Sequence, residues 1–144
     1  MSGLVVDASV ALAWALPDEN STYADTVLAL VEQEGLHVPE LWAREVANGL
    51  AVAYLRKRIT AADEKIFLTA LSRLSIDVEL APALTVVRAG TAAALRYGLT
   101  AYDAAYVDLA LREGLALATL DTAMRKAAEQ AGITIFRPLL RPND

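Results

Sequence analysis

Short apolar runs alternate with longer amphipathic stretches along the whole chain. Short runs of aliphatic residues are typical of strands buried on both faces of a parallel sheet. A further stretch, residues Ile76–Leu80, alternates apolar and polar side chains, which indicates an edge or half-exposed strand. We therefore predict this edge strand and four buried ones, at residues Leu4–Val6, Leu36–Pro39, Leu115–Ala118 and Ile133–Phe136.

The stretches between these strands carry helical periodicity and helix-terminating residues. Residues Thr60 to Asp63 resemble a capping box, Pro82 suits a first helical position, and glycines follow several of the stretches. Strands that alternate with helices predict a single three-layer α/β/α sandwich with a mostly parallel central sheet, extending over residues 1–144. The predicted helices are 10–16, 22–33, 40–57, 60–73, 82–97, 100–113 and 122–130.

Composition narrows the class of protein further. The chain has no cysteine, which excludes disulfides, thiolate metal sites and cysteine nucleophiles. Its net charge of −5 argues against nucleic-acid binding through a broad basic surface. No apolar run reaches the roughly 18 residues that a membrane span requires, so we expect a soluble, cytoplasmic protein. The 56% share of hydrophobic residues is high and suggests that a partner covers some apolar surface.

Four carboxylates occupy positions where an α/β fold places its ligands. Asp7 directly follows the first strand, and Asp121 follows the strand that ends at Ala118. Glu45 lies on the apolar stripe of its predicted helix, and Asp103 lies in the first turn of the helix that leads into the Leu115 strand. Ligands of open α/β sheets bind outside the carboxyl ends of strands, at the point where strand order reverses.

Each of these acids also has a purely structural explanation. Asp7 and Asp121 suit helix N-caps, and Asp103 suits a capping box with Thr100. Glu45 could pair with a neighbouring base such as Arg44. If all four acids have such roles, the protein is a non-enzymatic α/β interaction module.

The alternative is that the four acids converge. If the Leu115 strand pairs with the first strand on the side away from the second, Asp7 and Asp121 meet at the switch point. Carboxylates gathered in one crevice repel each other and raise each other's pKa, and a divalent cation relieves that conflict. Ligand sets made only of oxygen favour Mg²⁺ or Mn²⁺.

The four acids lie in four short segments of the chain: Val5–Ser9, Glu45–Asn48, Tyr102–Tyr106 and Thr119–Asp121. Together these segments resemble one known family, the PIN domain, and within it the VapC-type toxins of toxin–antitoxin pairs. The resemblance implies an endoribonuclease dependent on Mg²⁺ or Mn²⁺, which cleaves RNA, forms a homodimer and is held by a VapB-type antitoxin. It implies that Asp7, Glu45, Asp103 and Asp121 are catalytic and bind the metal, with Ser9, Asn48 and Thr119 as supporting polar residues.

Other enzymes built on buried aspartates fit the sequence less well. A phosphatase with an aspartate nucleophile would carry an Asp-x-Asp pair, but Ser9 stands at the second position. A phospho-acceptor domain would need a lysine after a late strand, and the chain has no obvious one. The metal-dependent nuclease and the non-enzymatic α/β interaction module therefore remain the two main hypotheses.

Overall fold

The computed structural model describes residues 2–19 and 21–138, which contain four strands and seven helices. The predicted Pro- and Arg-containing tail from Arg137 to Asp144 lies outside these residues from position 139 onward. The strands are β1 (Leu4–Val6), β2 (Leu36–Pro39), β3 (Ile76–Glu79) and β4 (Ala116–Ala118). The helices are α1 (Ala8–Ala15), α2 (Thr22–Glu34), α3 (Leu41–Leu55), α4 (Ala61–Ser72), α5 (Ala83–Tyr97), α6 (Ala101–Glu113) and α7 (Thr122–Gln130).

All four strands are parallel and lie in the order β3-β2-β1-β4. The chain therefore winds outward from β1 to β3 and then returns to place β4 on the free side of β1. Strand order reverses between β1 and β4, as predicted, and the crevice of the fold opens beyond their carboxyl ends. Val5, Val6, Leu117 and Ala118 of this central pair are completely buried, as expected for strands covered on both faces.

The helices cover the sheet as the predicted three-layer sandwich requires. Helix α1 contacts α2, α3 and α4, whereas α6 contacts α5 and α7 and packs against β1, β2 and β4. Helix α5 packs mainly on α6, and its side chains Leu84, Val87 and Leu95 remain exposed. None of the helices in the described ranges is both long and apolar enough to cross a membrane.

Local sequence sets most helix boundaries. The predicted capping box of α4 is present: the Thr60 side chain accepts from the Asp63 amide, and the Asp63 carboxylate accepts from the Thr60 amide. Gly98 and Gly114 end α5 and α6 in the left-handed conformation, with φ near 65°, which costs glycine little.

The strand predicted at Ile133–Phe136 is wrong. This segment makes a single parallel bridge between Leu117 and Ile135, with two backbone hydrogen bonds of 2.9 Å. On its other side β4 pairs with β1 over three residues, whereas here no second pair extends the bridge into a ladder. Ile133 and Ile135 are nevertheless buried against the core.

Candidate active site at the carboxyl edge of the sheet

Asp7 is the most deeply buried carboxylate of the crevice, with only 3% of its surface exposed. It follows β1 and caps α1, because its Oδ1 accepts from the Val10 amide at 3.1 Å. The same oxygen accepts from Ser9 Oγ at 2.7 Å, and Oδ2 accepts from the hydroxyl of Thr119. The predicted cap is therefore present, but a cap does not require burial, and Asp7 is held by two further hydroxyls.

Thr119 links Asp7 to Asp121 across the switch point. It is completely buried after β4, and its Oγ1 donates to Asp7 while accepting from the Asp121 amide at 3.0 Å. The Asp7 amide in turn donates to the Ala118 carbonyl at 3.1 Å. Asp121 caps α7 through a 2.7 Å bond from the Met124 amide and remains exposed at the mouth of the crevice.

Glu45 reaches the crevice from the second turn of α3 and is half-buried. The hydroxyl of Tyr106, on α6, donates to Glu45 Oε1 at 2.6 Å. This bond replaces the surface ion pair with Arg44 that the sequence left open. Tyr106 is only 1% exposed, so its ring is locked in the core while its hydroxyl points at the carboxylate.

Asp103 lies in the first turn of α6, one turn before Tyr106. Its amide donates to Thr100 Oγ1 at 3.2 Å, so Thr100 caps the helix. The reciprocal bond, from the Thr100 amide to the Asp103 carboxylate, is not formed, unlike its counterpart in α4. The half-buried Asp103 carboxylate is therefore not occupied as the second half of a capping box.

The four carboxylates act on one another electrostatically. Burial raises the pKa of Asp7, opposed by its hydrogen bonds and increased by the charge of Asp121. Burial also raises the pKa of Glu45, opposed by Tyr106 and reinforced by Asp103 and Asp7. The pKa of Asp103 is raised by burial first and by the charge of Asp121 second. Repulsion from another acid of the set thus contributes to the raised pKa of Asp7, Glu45 and Asp103, and such a cluster attracts a cation.

The donor atoms of the four acids are of the chemical type that a hard divalent cation binds. All four side chains offer carboxylate oxygens, which Mg²⁺ and Mn²⁺ prefer. In residues 2–19 and 21–138, however, no three Asp, Glu, His or Cys side chains lie close enough together to form a metal cage. Mg²⁺ does not need such a cage, because it usually binds through one or two carboxylates and keeps several waters.

The predicted supporting residues divide into two groups. Ser9 and Thr119 both contact Asp7, as described above. Asn48 lies one turn after Glu45 on α3 but is exposed, and among the described residues no hydrogen bond connects its side chain to the acids. Tyr106 lies within the segment Tyr102–Tyr106, but the sequence predicts no role for it. Its position three residues after Asp103, on the same face of a helix, is the signal that could have identified it.

Fold and site together define a three-layer α/β protein with a crevice of carboxylates at its switch point. A solved structure with this architecture superposes on most of the chain. The crystal structure of PAE2754 from Pyrobaculum aerophilum superposes with a TM-score of 0.64 and 28% sequence identity, over 88% of this chain and 86% of that one.

Sequence relatives narrow the class to one family. Ribonuclease VapC3 of Pyrobaculum aerophilum is 35% identical over 127 residues, which span 88% of this chain and 93% of the relative. Ribonuclease VapC9 of Mycobacterium tuberculosis is 36% identical over 137 residues, which span 92% of this chain and 97% of the relative. Residues 4–130 match the PIN domain as a whole. The chain belongs to the PIN-domain family, as its motifs predicted.

Proposed function

We propose that this protein is a VapC-type toxin, an endoribonuclease that hydrolyses phosphodiester bonds of RNA with the help of Mg²⁺ or Mn²⁺. Its relationship to two proteins named VapC ribonucleases supports the activity. The single structural observation that carries the proposal is the buried Asp7 at the switch point, coupled to three further carboxylates. Helix caps alone would not need this burial and mutual repulsion.

In this proposal Asp7, Asp103 and Asp121 hold the metal, and Glu45 joins directly or through water. When bound, the cation supplies positive charge that offsets charge developing on the phosphate and makes water a better nucleophile. Ser9 and Thr119 fix the rotamer of Asp7, so the carboxylate needs no reorganisation before substrate arrives.

Glu45 is suited to take the proton from the attacking water. Tyr106 occupies its Oε1, which leaves Oε2 as the atom able to accept a proton. Asn48, exposed on the same helix, is proposed to contact substrate or water beside Glu45.

The proposal is tested by incubating the purified protein with total RNA and millimolar Mg²⁺ or Mn²⁺. We expect cleavage that stops on chelation, and binding of Mn²⁺ by isothermal titration. If no preparation cuts any RNA and no metal binds, the acids are structural and the interaction-module hypothesis replaces the nuclease.

Apolar side chains exposed on two regions of the chain support the proposed partners, a VapB-type antitoxin and a second copy of this chain. One region is α5, through Leu84 and Leu95, and the other is formed by Leu55 at the end of α3 and Ile66 on α4. The aromatic residues Trp14 and Trp42 belong to neither region, because both pack against the core. An RNA substrate implies action in the cytoplasm.

The proposed homodimer is tested by light scattering, which at high micromolar concentration should give twice the chain mass of 15.4 kDa.

A further inference from the structure

A groove of about 630 Å³ lies at the same edge of the sheet as the acid crevice. Its base is formed by the residues that follow β2 and β3, such as Leu41 and Leu80, and its walls are the facing sides of α5 and α6. The volume is in the usual range for ligand sites, and the lining is mostly apolar with a few polar groups. The catalytic residues proposed above do not use this groove.

The groove and the crevice share two helices. Arg44 lines the groove, and the next residue on α3 is Glu45. Tyr102 lines the groove, and the next residue on α6 is Asp103. Consecutive helical residues point about 100° apart, so each helix presents one face to the acids and a neighbouring face to the groove. Helices α3 and α6 therefore border both the acid crevice and the groove.

Tyr102 and Arg44 have the chemistry of a nucleotide site. The Tyr102 side chain is 68% exposed, the highest value for any aromatic residue among the exposed large hydrophobic side chains of the described chain. An exposed aromatic face is what stacks on an unpaired base, whatever its sequence. Arg44 is also exposed, and within the part of the chain that the structure describes it makes no ion pair. A free guanidinium is suited to bind phosphate oxygens in pairs.

Of the two arginines that line the groove, only Arg44 is left without a carboxylate partner in the described part of the chain. Arg112 is neutralised, because it donates to both Glu79 oxygens at 2.6 and 2.7 Å and to Asp108 at 2.8 Å. Glu40, at the rim, is exposed to solvent and adds a negative charge. The groove therefore provides a single point for a phosphate rather than a broad basic track.

We propose that this groove holds the nucleotide next to the scissile phosphodiester, with its base stacked on Tyr102 and its phosphate bound by Arg44. The inference rests on the proposed ribonuclease activity and adds the surface that positions its substrate. The adjacency of Arg44 to Glu45 and of Tyr102 to Asp103 favours RNA over a protein segment, since an RNA strand extends beyond the phosphodiester that is cut.

Gly90 offers a way to close the groove without disturbing the fold. It lies on α5 and lines the groove, and a Cβ added there would meet no heavy atom within 4 Å. Gly90→Phe should therefore fill the groove with its ring. Gly90→Ala is the matched control, because it changes the helix backbone in the same way and leaves the groove open.

Binding is measured by fluorescence anisotropy with a labelled, random-sequence single-stranded RNA of about 15 nucleotides. The background variant is Asp7→Asn, so that the probe is not cut. Added to it, Tyr102→Ala should weaken binding about tenfold, while Tyr102→Phe keeps the stacking face and binds within about twofold. Arg44→Ala should weaken binding and lower the salt slope by about 1. Gly90→Phe should weaken binding at least as much as Tyr102→Ala.

Two exposed residues outside the groove serve as controls. Tyr54, at the far end of α3, and Arg73, after α4, are changed to alanine in the same background, and neither change should alter affinity. In the active protein, Tyr102→Ala should raise KM and leave kcat nearly unchanged, because the groove holds substrate but does not touch the reacting atoms.

The outcomes separate this inference from the proposed function. If the wild type cuts RNA while Tyr102→Ala, Arg44→Ala and Gly90→Phe bind and cut like it, the groove is not the nucleotide site and the nuclease stands. If groove variants instead lose the dimer by light scattering with unchanged RNA affinity, the groove takes a protein and the inference is wrong. If the protein neither binds nor cuts RNA, both proposals fail.

Discussion

Replacing Asp7 by asparagine removes one charge and changes one hydrogen bond. Asparagine has the same shape, and its Oδ1 can still accept from the Val10 amide and the Ser9 hydroxyl. Its Nδ2 can donate to Thr119 Oγ1, which already accepts from a backbone amide and has a second lone pair, but the Thr119 proton then loses its acceptor on Asp7. The fold should survive this loss, and the pH dependence of stability separates it from the effect of the lost charge, because the hydroxyl does not titrate.

Without metal, the stability of Asp7→Asn relative to the wild type should rise with pH. Burial raises the pKa of Asp7 above its ordinary value of 3.8, so the folded state holds its proton more tightly than the unfolded state. The stability contribution of this group is greatest below pH 3.8 and is lost as the pH rises through the folded-state pKa. Asparagine avoids that loss. Each kcal/mol regained would raise Tm by about 4 °C in a domain of this size.

With metal, the same substitution should act in the opposite direction. Mn²⁺ should raise the Tm of the wild type and have little effect on Asp7→Asn, because the variant lacks a negative ligand. RNA cleavage should fall at least about 100-fold, equivalent to about 2.7 kcal/mol of transition-state stabilisation. Thermal unfolding with and without Mn²⁺, and initial cleavage rates, measure the two effects on the same preparations.

Asp25→Asn is the matched control, since Asp25 is an exposed acid in the first turn of α2. It should change neither the response to Mn²⁺ nor the cleavage rate. The reasoning is refuted if the metal-free Tm of Asp7→Asn, relative to that of the wild type, does not rise from acid to neutral pH, or if the variant cuts RNA at the wild-type rate with normal metal dependence.

Three further substitutions test other parts of the structure. Tyr106→Phe removes the hydrogen bond to Glu45 and should lower kcat/KM about tenfold, with an unchanged circular dichroism spectrum; an unchanged rate would contradict the role of the tyrosine. Gly49→Ala should destabilise the protein by about 1 kcal/mol or more in urea unfolding, because the new Cβ would lie 2.4 Å from Leu12 Cδ1. Asp63→Ala should cost about 1 kcal/mol by losing a cap, yet RNA cleavage should stay at the wild-type rate.

The order of elements and most of their boundaries followed from sequence. Strands β1 and β2 begin and end where the apolar runs do, and the capping box at Thr60 and the glycines after α5 and α6 lie where helices were expected to start and stop. These features are local: they depend on side-chain periodicity and on hydrogen bonds between residues three or four positions apart. The chain itself carries that information.

The strand predicted at Ile133–Phe136 failed for a reason that is not local. Its apolar pattern is correct, since Ile133 and Ile135 are buried. A strand, however, also needs a run of paired residues, and this segment pairs with β4 only at Ile135, whereas β1 pairs with β4 over three residues. The number of paired residues depends on the course of both segments in the fold, which the sequence of one segment does not determine.

The candidate site also combines features that the sequence predicts with features that only the fold supplies. Sequence alone identified four acids, and their positions after strands and at helix starts predicted that they would meet. The sequence left each acid with two possible roles, a structural one and a place in a metal site. Only the tertiary structure distinguishes the acids from one another, because it buries Asp7 and leaves Asp121 exposed. Tyr106 stands 61 positions from Glu45 along the chain, and only the packing of α6 brings its hydroxyl to the carboxylate. Burial and contact depend on which distant segments cover a residue, and the fold alone supplies those neighbours.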